Sequence, residues 1–392
     1  MELKGNKGEW SELYTALKLM ADGEIYAADE YMEKVDTLVF PVLKILREEK
    51  ENKIDYLING KIILINPKTE EIICEIDRVK FMEAAQIVFN NIAKLNGRSI
   101  NVSRFEGKDE LVNFLKAINI STLKAKSTDK SDITIQIHDH MTGSRPILGF
   151  SIKSMLGSKS TLFNPAAGTN FIFNIDNIKL NAAKIIEFNN LTYGLPKRLS
   201  KRISSLEELG GEFNFLGIQS EMLELNLRLI DGDLPEILAN MLKMRFVTGC
   251  SKVKDLIQKL DETNPLEYNL AHKHPFYKYK VIKFLYDTAL GMTPETIWNG
   301  EIKANGGIIV VKNDGDILAY HTYHKSKFEE YLLNNTFLEQ PSTSEDENLP
   351  GTPKTKENYP GKSIKPFMFG WLYTEDNDQL RFKLNLQVRF TK

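Results

Sequence analysis

Ser131-Asp132-Ile133-Thr134-Ile135-Gln136 and, about twenty residues on, Gly149-Phe150-Ser151-Ile152-Lys153-Ser154 decide how this chain is read. Both stretches alternate apolar and polar side chains with period two, the pattern of a strand with one face on a core. Asp132, Thr134 and Gln136 share a face of the first. Ser151 and Lys153 share a face of the second, with Ile152 turned inward. Residues 132–138 and 146–153 are thus predicted strands, joined by a polar turn containing Gly143. If they pair as a hairpin, Asp132 and Lys153 meet at one end of a sheet.

Working outward, Trp10, Leu13, Leu17 and Met20 recur at helical spacing, and Asp22-Gly23 ends that pattern. Apolar runs at 54–58, 62–65 and 72–76 are split by Asn59-Gly60 and Asn66-Pro67, so they predict short strands and a hairpin. Helices are expected near 80–95 and 108–118, a strand at 170–175 and a helix at 234–246. Runs at 307–312 and 317–323 flank Asn313-Asp314-Gly315, a second hairpin, followed by a helix near 325–334. Residues 340–366 are rich in Pro, Ser, Thr, Gly and charge and predict a mobile loop. Residues 367–373 and 380–390 form a last hairpin. The fold class is mixed α/β. The division expected is 1–250, a core with its N-terminal helix and inserted hairpins, and 251–392, an α+β part with further hairpins.

Composition narrows the function classes. Across 392 residues, 42% are apolar, enough for a real core, and no window approaches a membrane span. The first ten residues lack the apolar stretch of a signal peptide. Cys74 and Cys250 have no CxxC partner, which argues against a disulfide framework or a structural zinc and for a reducing, cytoplasmic setting. A total of 51 Lys+Arg against 53 Asp+Glu excludes coating of nucleic acid by bulk charge. Residues 101–200, however, carry 13 basic against 8 acidic side chains, a block that attracts an anionic ligand.

A carboxylate at one strand start and a Ser-x-Lys on the next suit phosphodiester hydrolysis. The carboxylate holds a divalent metal that polarises phosphate and acidifies water, and the ammonium orients the nucleophile or offsets developing charge. The same pair is also what a solvated surface ion pair looks like, and the usual metal site has Glu or Asp where Ser151 stands. Three other regions carry residue types that meet DNA. Residues 160–170 are small and acid-free and contain Asn164, Thr169 and Asn170. Lys197, Arg198, Lys201 and Arg202 form a compact basic cluster in which 198 and 202 share a helix face. On the last strand Arg381, Lys383, Asn385, Gln387 and Arg389 alternate with Phe382, Leu384, Leu386, Val388 and Phe390. The polar set has the chemistry that pairs with base edges.

The sequence resembles the HpaII family of type II restriction endonucleases. The resemblance rests on Asn6-Lys-Gly-Glu-Trp-Ser-Glu-Leu-Tyr14, Leu148-Gly-Phe-Ser-Ile-Lys-Ser154 and Phe163-Asn-Pro-Ala-Ala-Gly-Thr-Asn-Phe171. It continues through Gly232-Asp-Leu-Pro-Glu236, Ala289-Leu-Gly-Met-Thr-Pro294 and Lys383-Leu-Asn-Leu-Gln-Val-Arg-Phe390, in order along nearly the whole chain. It implies a restriction-endonuclease-like, PD-(D/E)xK-type core, a mixed sheet flanked by helices, acting with Mg²⁺ on double-stranded DNA. Asp132 falls on that motif's aspartate and Lys153 on its lysine, while Ser151 departs from it. Between Lys153 and Asp176 there is no acid, so the missing carboxylate is expected from the first helix. Glu9 and Glu12 both suit, and Glu9 is the first choice. The resemblance further implies a short palindromic target, CCGG being the first to try. It also implies a companion DNA methyltransferase, and either a homodimer or successive nicks. Two other readings stay open: a DNA-binding protein with a decayed site, and a repair or modification-dependent nuclease of the same fold.

Overall fold

The computed structural model describes residues 2–49, 53–125, 131–140, 142–191, 198–341, 369–375 and 378–391. Its centre is a nine-stranded mixed sheet. In chain order the strands are β1 (Glu24–Ala28), β2 (Lys34–Glu48), β3 (Lys53–Asn59), β4 (Lys61–Ile65), β5 (Ile72–Ile76), β6 (Ile133–Ile137), β7 (Ile147–Ser154), β8 (Gly307–Val311) and β9 (Ile317–His321). Across the sheet they run β1-β9-β8-β7-β6-β2-β3-β4-β5. The long β2 also pairs antiparallel with β1, which closes six strands into a ring. Parallel pairing occurs between β7 and β8 and between β9 and β1.

The predicted hairpins at 54–65 and 307–321 form. Gly60 supplies the positive φ of +69° that the first tight turn requires. The second hairpin does more than its sequence signature implies. Gly307–Val311 is buried on every residue because both faces are covered, which is why it reads as an unbroken apolar run. Ile309 and Val311 point into one core, Ile308 and Val310 into another. The first core lies between the sheet and three helices: α1 (Lys7–Asp22), α2 (Arg78–Lys94) and α3 (Lys108–Ala117). The second gathers residues from 162 onward, with a four-stranded antiparallel sheet ordered Glu212–Ile218, Asn170–Asp176, Gln379–Asn385, Leu372–Glu375. Helices including Leu234–Thr248, Val253–Thr263 and Phe276–Leu290 pack there. The expected division at residue 250 therefore runs through both the nine-stranded sheet and this second core.

Helix α1 forms where its apolar spacing predicts, two residues longer at each end. Asn6 caps it, and Gly23 closes it in the left-handed conformation at φ +69°. The expected last hairpin is shorter than predicted. Leu372–Glu375 pairs with Gln379–Asn385, whereas Val388–Phe390 joins a separate three-stranded sheet between Thr161–Phe163 and Thr336–Leu338. Alternation continues in sequence through Leu386-Gln387, but the chain changes sheets there. Residues 342–366 of the expected loop lie outside the described residues.

Candidate active site

Pairing of β6 with β7 brings together the two stretches that the alternation singled out. The Asp132 backbone N–H donates to the Phe150 carbonyl at 2.8 Å. Its carboxylate Oδ2 accepts from the Ser151 hydroxyl at 3.0 Å and from the Ile152 N–H at 2.7 Å. Lys153 Nζ in turn donates to Ser151 Oγ at 2.9 Å. Ser151 thus bridges the carboxylate and the ammonium. The parallel register sets Ser151 beside Ile308 and Lys153 beside Val310, the β8 residues that face the second core. Ile152 enters the first core instead. This places the Asp132–Ser151–Lys153 line where the two cores meet.

The space above that line is a cleft of about 410 Å³. Its far wall is Thr161–Asn164 together with Thr288, Met292 and Thr296, where Phe276–Leu290 ends. Asn164 therefore lies in the cleft, as the loop reading expects of a DNA contact. The wall around 288–296 includes the Ala289–Pro294 block of the family resemblance, but its residue chemistry gave no sign that it faces the cleft.

Two glutamates of α1 part company. Glu9 accepts the Asn6 N–H at 2.8 Å while its own N–H donates to Asn6 Oδ1 at 3.0 Å, a reciprocal capping box. Its carboxylate is turned to the helix start. Glu12, one turn on, has a side chain only 11% exposed, with Lys124 Nζ 3.2 Å from its carboxylate. Burial first, and then repulsion from Asp132, push the Glu12 carboxyl up to about 7. Burial also lowers Lys153 from its ordinary range, against the opposing pull of Asp132 and Glu12. The acid that faces Asp132 electrostatically is thus Glu12. The spacing Asn6-x-x-Glu9 was a readable capping signature; nothing in the sequence singled out Lys124.

Among the described residues no three His, Cys, Asp or Glu gather as a ready metal site. The donors at hand are two carboxylates and a hydroxyl, all hard oxygens. Such a set suits Mg²⁺, which keeps several waters and takes one or two carboxylates.

The other residues expected on DNA divide by burial. Thr169 is buried, its hydroxyl bonded to the Ala166 carbonyl at 3.0 Å. Asn170 is buried too, donating to Gln219 at 3.0 Å and accepting from Asn385 at 2.7 Å. Asn385 and Gln387 are equally enclosed. Arg202 is buried, donating to the backbone carbonyls of Gly370 and Asn189 and lying over the Trp371 ring. Arg198 also lies over Trp371, so the shared helix face is real and it faces inward. Lys201 is exposed, and Lys197 falls outside the described residues. On the C-terminal strand Arg381 is 8% exposed, with Nε and Nη1 unbonded among the described residues. Lys383 stands half-buried over Tyr373, its ammonium lowered by burial. Arg389 donates to the Lys159 carbonyl at 3.0 Å and pairs with Glu339. Several of these side chains, Thr169, Asn170, Arg202 and Asn385 among them, brace the chain from inside.

Residues 6–349 match the HpaII restriction endonuclease family. The type II restriction enzyme HpaII of Haemophilus parainfluenzae is 38% identical over 389 residues, covering 98% of each chain. No solved structure matches.

Proposed function

The chain belongs to the HpaII restriction endonuclease family, and from that premise we propose that Asp132, Glu12 and Lys153 form its hydrolytic centre. It is a type II restriction enzyme, a site-specific deoxyribonuclease acting on double-stranded DNA. The observation that carries the proposal is that Asp132 and Lys153, bridged by Ser151, line one cleft, while beside them the helix-borne Glu12 has its carboxyl pushed up to about 7 by burial and by Asp132.

Asp132 and Glu12 are the residues that would hold Mg²⁺, Glu12 taking the place left by Ser151. When bound, the metal supplies Lewis acidity toward the phosphate and a more acidic water. Ser151 steadies Asp132 Oδ2 and Lys153 Nζ in one line. Because the bond from Ile152 N–H also fixes Oδ2, that carboxylate is oriented before any ligand arrives. Lys153 directs its ammonium toward the attacking water and the developing charge on the phosphate. A PD-(D/E)xK-like core describes this arrangement of a strand Asp, a following strand Lys and a first-helix acid.

The target is a short palindrome, CCGG being the first to test, cut by a symmetric dimer or by successive nicks. A companion methyltransferase protects the host's sites. Cytoplasmic residence fits a chain in which no described helix is long and apolar enough to cross a membrane. The test is digestion of unmethylated phage DNA by purified protein with Mg²⁺ or with EDTA. Discrete fragments that require Mg²⁺ and vanish in Asp132→Ala and Lys153→Ala support the assignment. Metal-independent fragments, or fragments that survive Asp132→Ala, refute it.

A further inference from the structure

Beside the catalytic cleft lies a larger open cavity of about 760 Å³. The two share Thr161 as a common wall. The strand that presents Lys153 to the cleft continues through Ser154 into the lining of the cavity. Four cations line it, Lys7, Arg98, Lys159 and Arg389, and no carboxylate does. Their placement is fixed from several directions. Lys7 Nζ donates to the Leu156 carbonyl at 3.1 Å, and Gly157 lies so close that a Cβ there would meet Lys7 Cβ at 3.2 Å. Lys159 Nζ sits 4.2 Å over the Phe337 ring, and its carbonyl receives the Arg389 guanidinium. Arg389 pairs with the Glu339 carboxylate. Arg98 is exposed, and neither it nor Lys159 has an acidic partner among the described residues.

We propose that this cavity is a phosphate-binding trough that holds the DNA backbone next to the phosphodiester being cut. The inference rests on the nuclease reading of the neighbouring cleft. Four cations lining one cavity with no carboxylate in its wall give it a positive potential that attracts an anionic ligand. The trough is too large for one phosphate and opens along its length, which suits a chain of phosphodiesters. Contacts to the backbone supply position and affinity rather than choice of sequence, and that is the contribution assigned to the trough. It also explains how Lys153 meets the correct phosphate, since register along the backbone is set one wall away.

The measurement is the dissociation constant for a 30-base-pair duplex in EDTA, taken across a salt series. Wild type is compared with Arg98→Gln, Lys159→Gln, the double variant and Lys116→Gln, which removes an equal charge on α3. Each trough substitution is expected to flatten the slope of log affinity against log salt by roughly 1, equally for target and non-target sequences. The double variant flattens it by about 2, and Lys116→Gln sets the baseline. Slopes no different from that baseline overturn the trough. So does a loss confined to the target sequence, which marks base reading instead. If Lys159→Gln lowers the melting temperature, Arg98→Gln, exposed and outside any element, decides alone. Wild type that binds no duplex at any salt fails the nuclease reading itself, a result distinct from an unchanged slope.

Discussion

The β6–β7 pair and the C-terminal strand Gln379–Asn385 look alike in sequence. Both alternate apolar and polar residues, and both polar faces carry the chemistry of nucleic-acid work. The structure treats them oppositely. Ser151, Lys153 and Asp132 line an open cleft, and beside it burial and the nearby Asp132 raise the Glu12 carboxyl. Asn385 is enclosed and bonded to Asn170 at 2.7 Å and to the Ala166 carbonyl at 2.8 Å. Alternation tells which side chains share a face. Whether that face meets solvent depends on what the rest of the chain lays over it.

If the comparison is sound, substitutions in the two regions separate activity from stability. The largest effect is expected from Asp132→Ala and Lys153→Ala, each lowering the cleavage rate by about 10³-fold or more while the melting temperature stays within a few degrees. Equal losses of rate and stability would erase the distinction. Glu12→Gln is expected to slow cleavage by about 10²-fold, whereas Glu9→Ala leaves the rate within a few-fold and costs about 1 kcal/mol through the lost capping box. The reverse ranking in single-turnover assays would return the metal acid to Glu9. On the C-terminal strand, Asn385→Ala removes the donor to Asn170 Oδ1 and should destabilise by about 1–3 kcal/mol in urea titration. Cleavage by the folded fraction should persist.

The smallest test is pH. A carboxyl held at about 7 in the folded chain, against 4.5 for the free group, makes the folded state the better proton binder. Metal-free stability attributable to Glu12 is therefore greatest below about 4.5 and is lost as pH rises through 7, by about 2–3 kcal/mol. Subtracting the pH profile of Glu12→Gln from that of wild type isolates it. A flat difference profile would mean that Asp132 and burial do not act on Glu12 as the geometry indicates.

Much of this was legible. Period-two alternation located Asp132 and Lys153, and helical spacing with a terminal Gly23 located α1. Asn59-Gly60 and Asn313-Asp314-Gly315 marked real hairpins. What could not be read was everything set by distant segments. Lys124 reaches Glu12 only because residues near 124 fold back across α1. The cleft wall at 288–296 comes from a helix with no chemical signature. Arg202 reads as a candidate phosphate ligand because it belongs to a compact basic cluster, yet Trp371 and two carbonyls draw it inside. Glu9 was favoured over Glu12 although Asn6-x-x-Glu9 already assigned Glu9 to the helix cap.

The closed ring of strands has a consequence for how the protein is born. Tyr14 donates to the Gly315 carbonyl 301 residues away, and the Gly149 N–H finds its acceptor in Asn305, 156 residues later. At a synthesis rate of about 5–20 residues per second, the strand with Lys153 waits on the order of 10–30 s for β8 to leave the ribosome. During that interval Asp132 and Lys153 exist as polymer but not as a site. A chain cut short by stalling or proteolysis before residue 307 carries Asp132 and Lys153 without the two strands that complete their sheet. For a nuclease made inside the cell whose DNA it could cut, assembly of the blade is deferred until most of the message has been read.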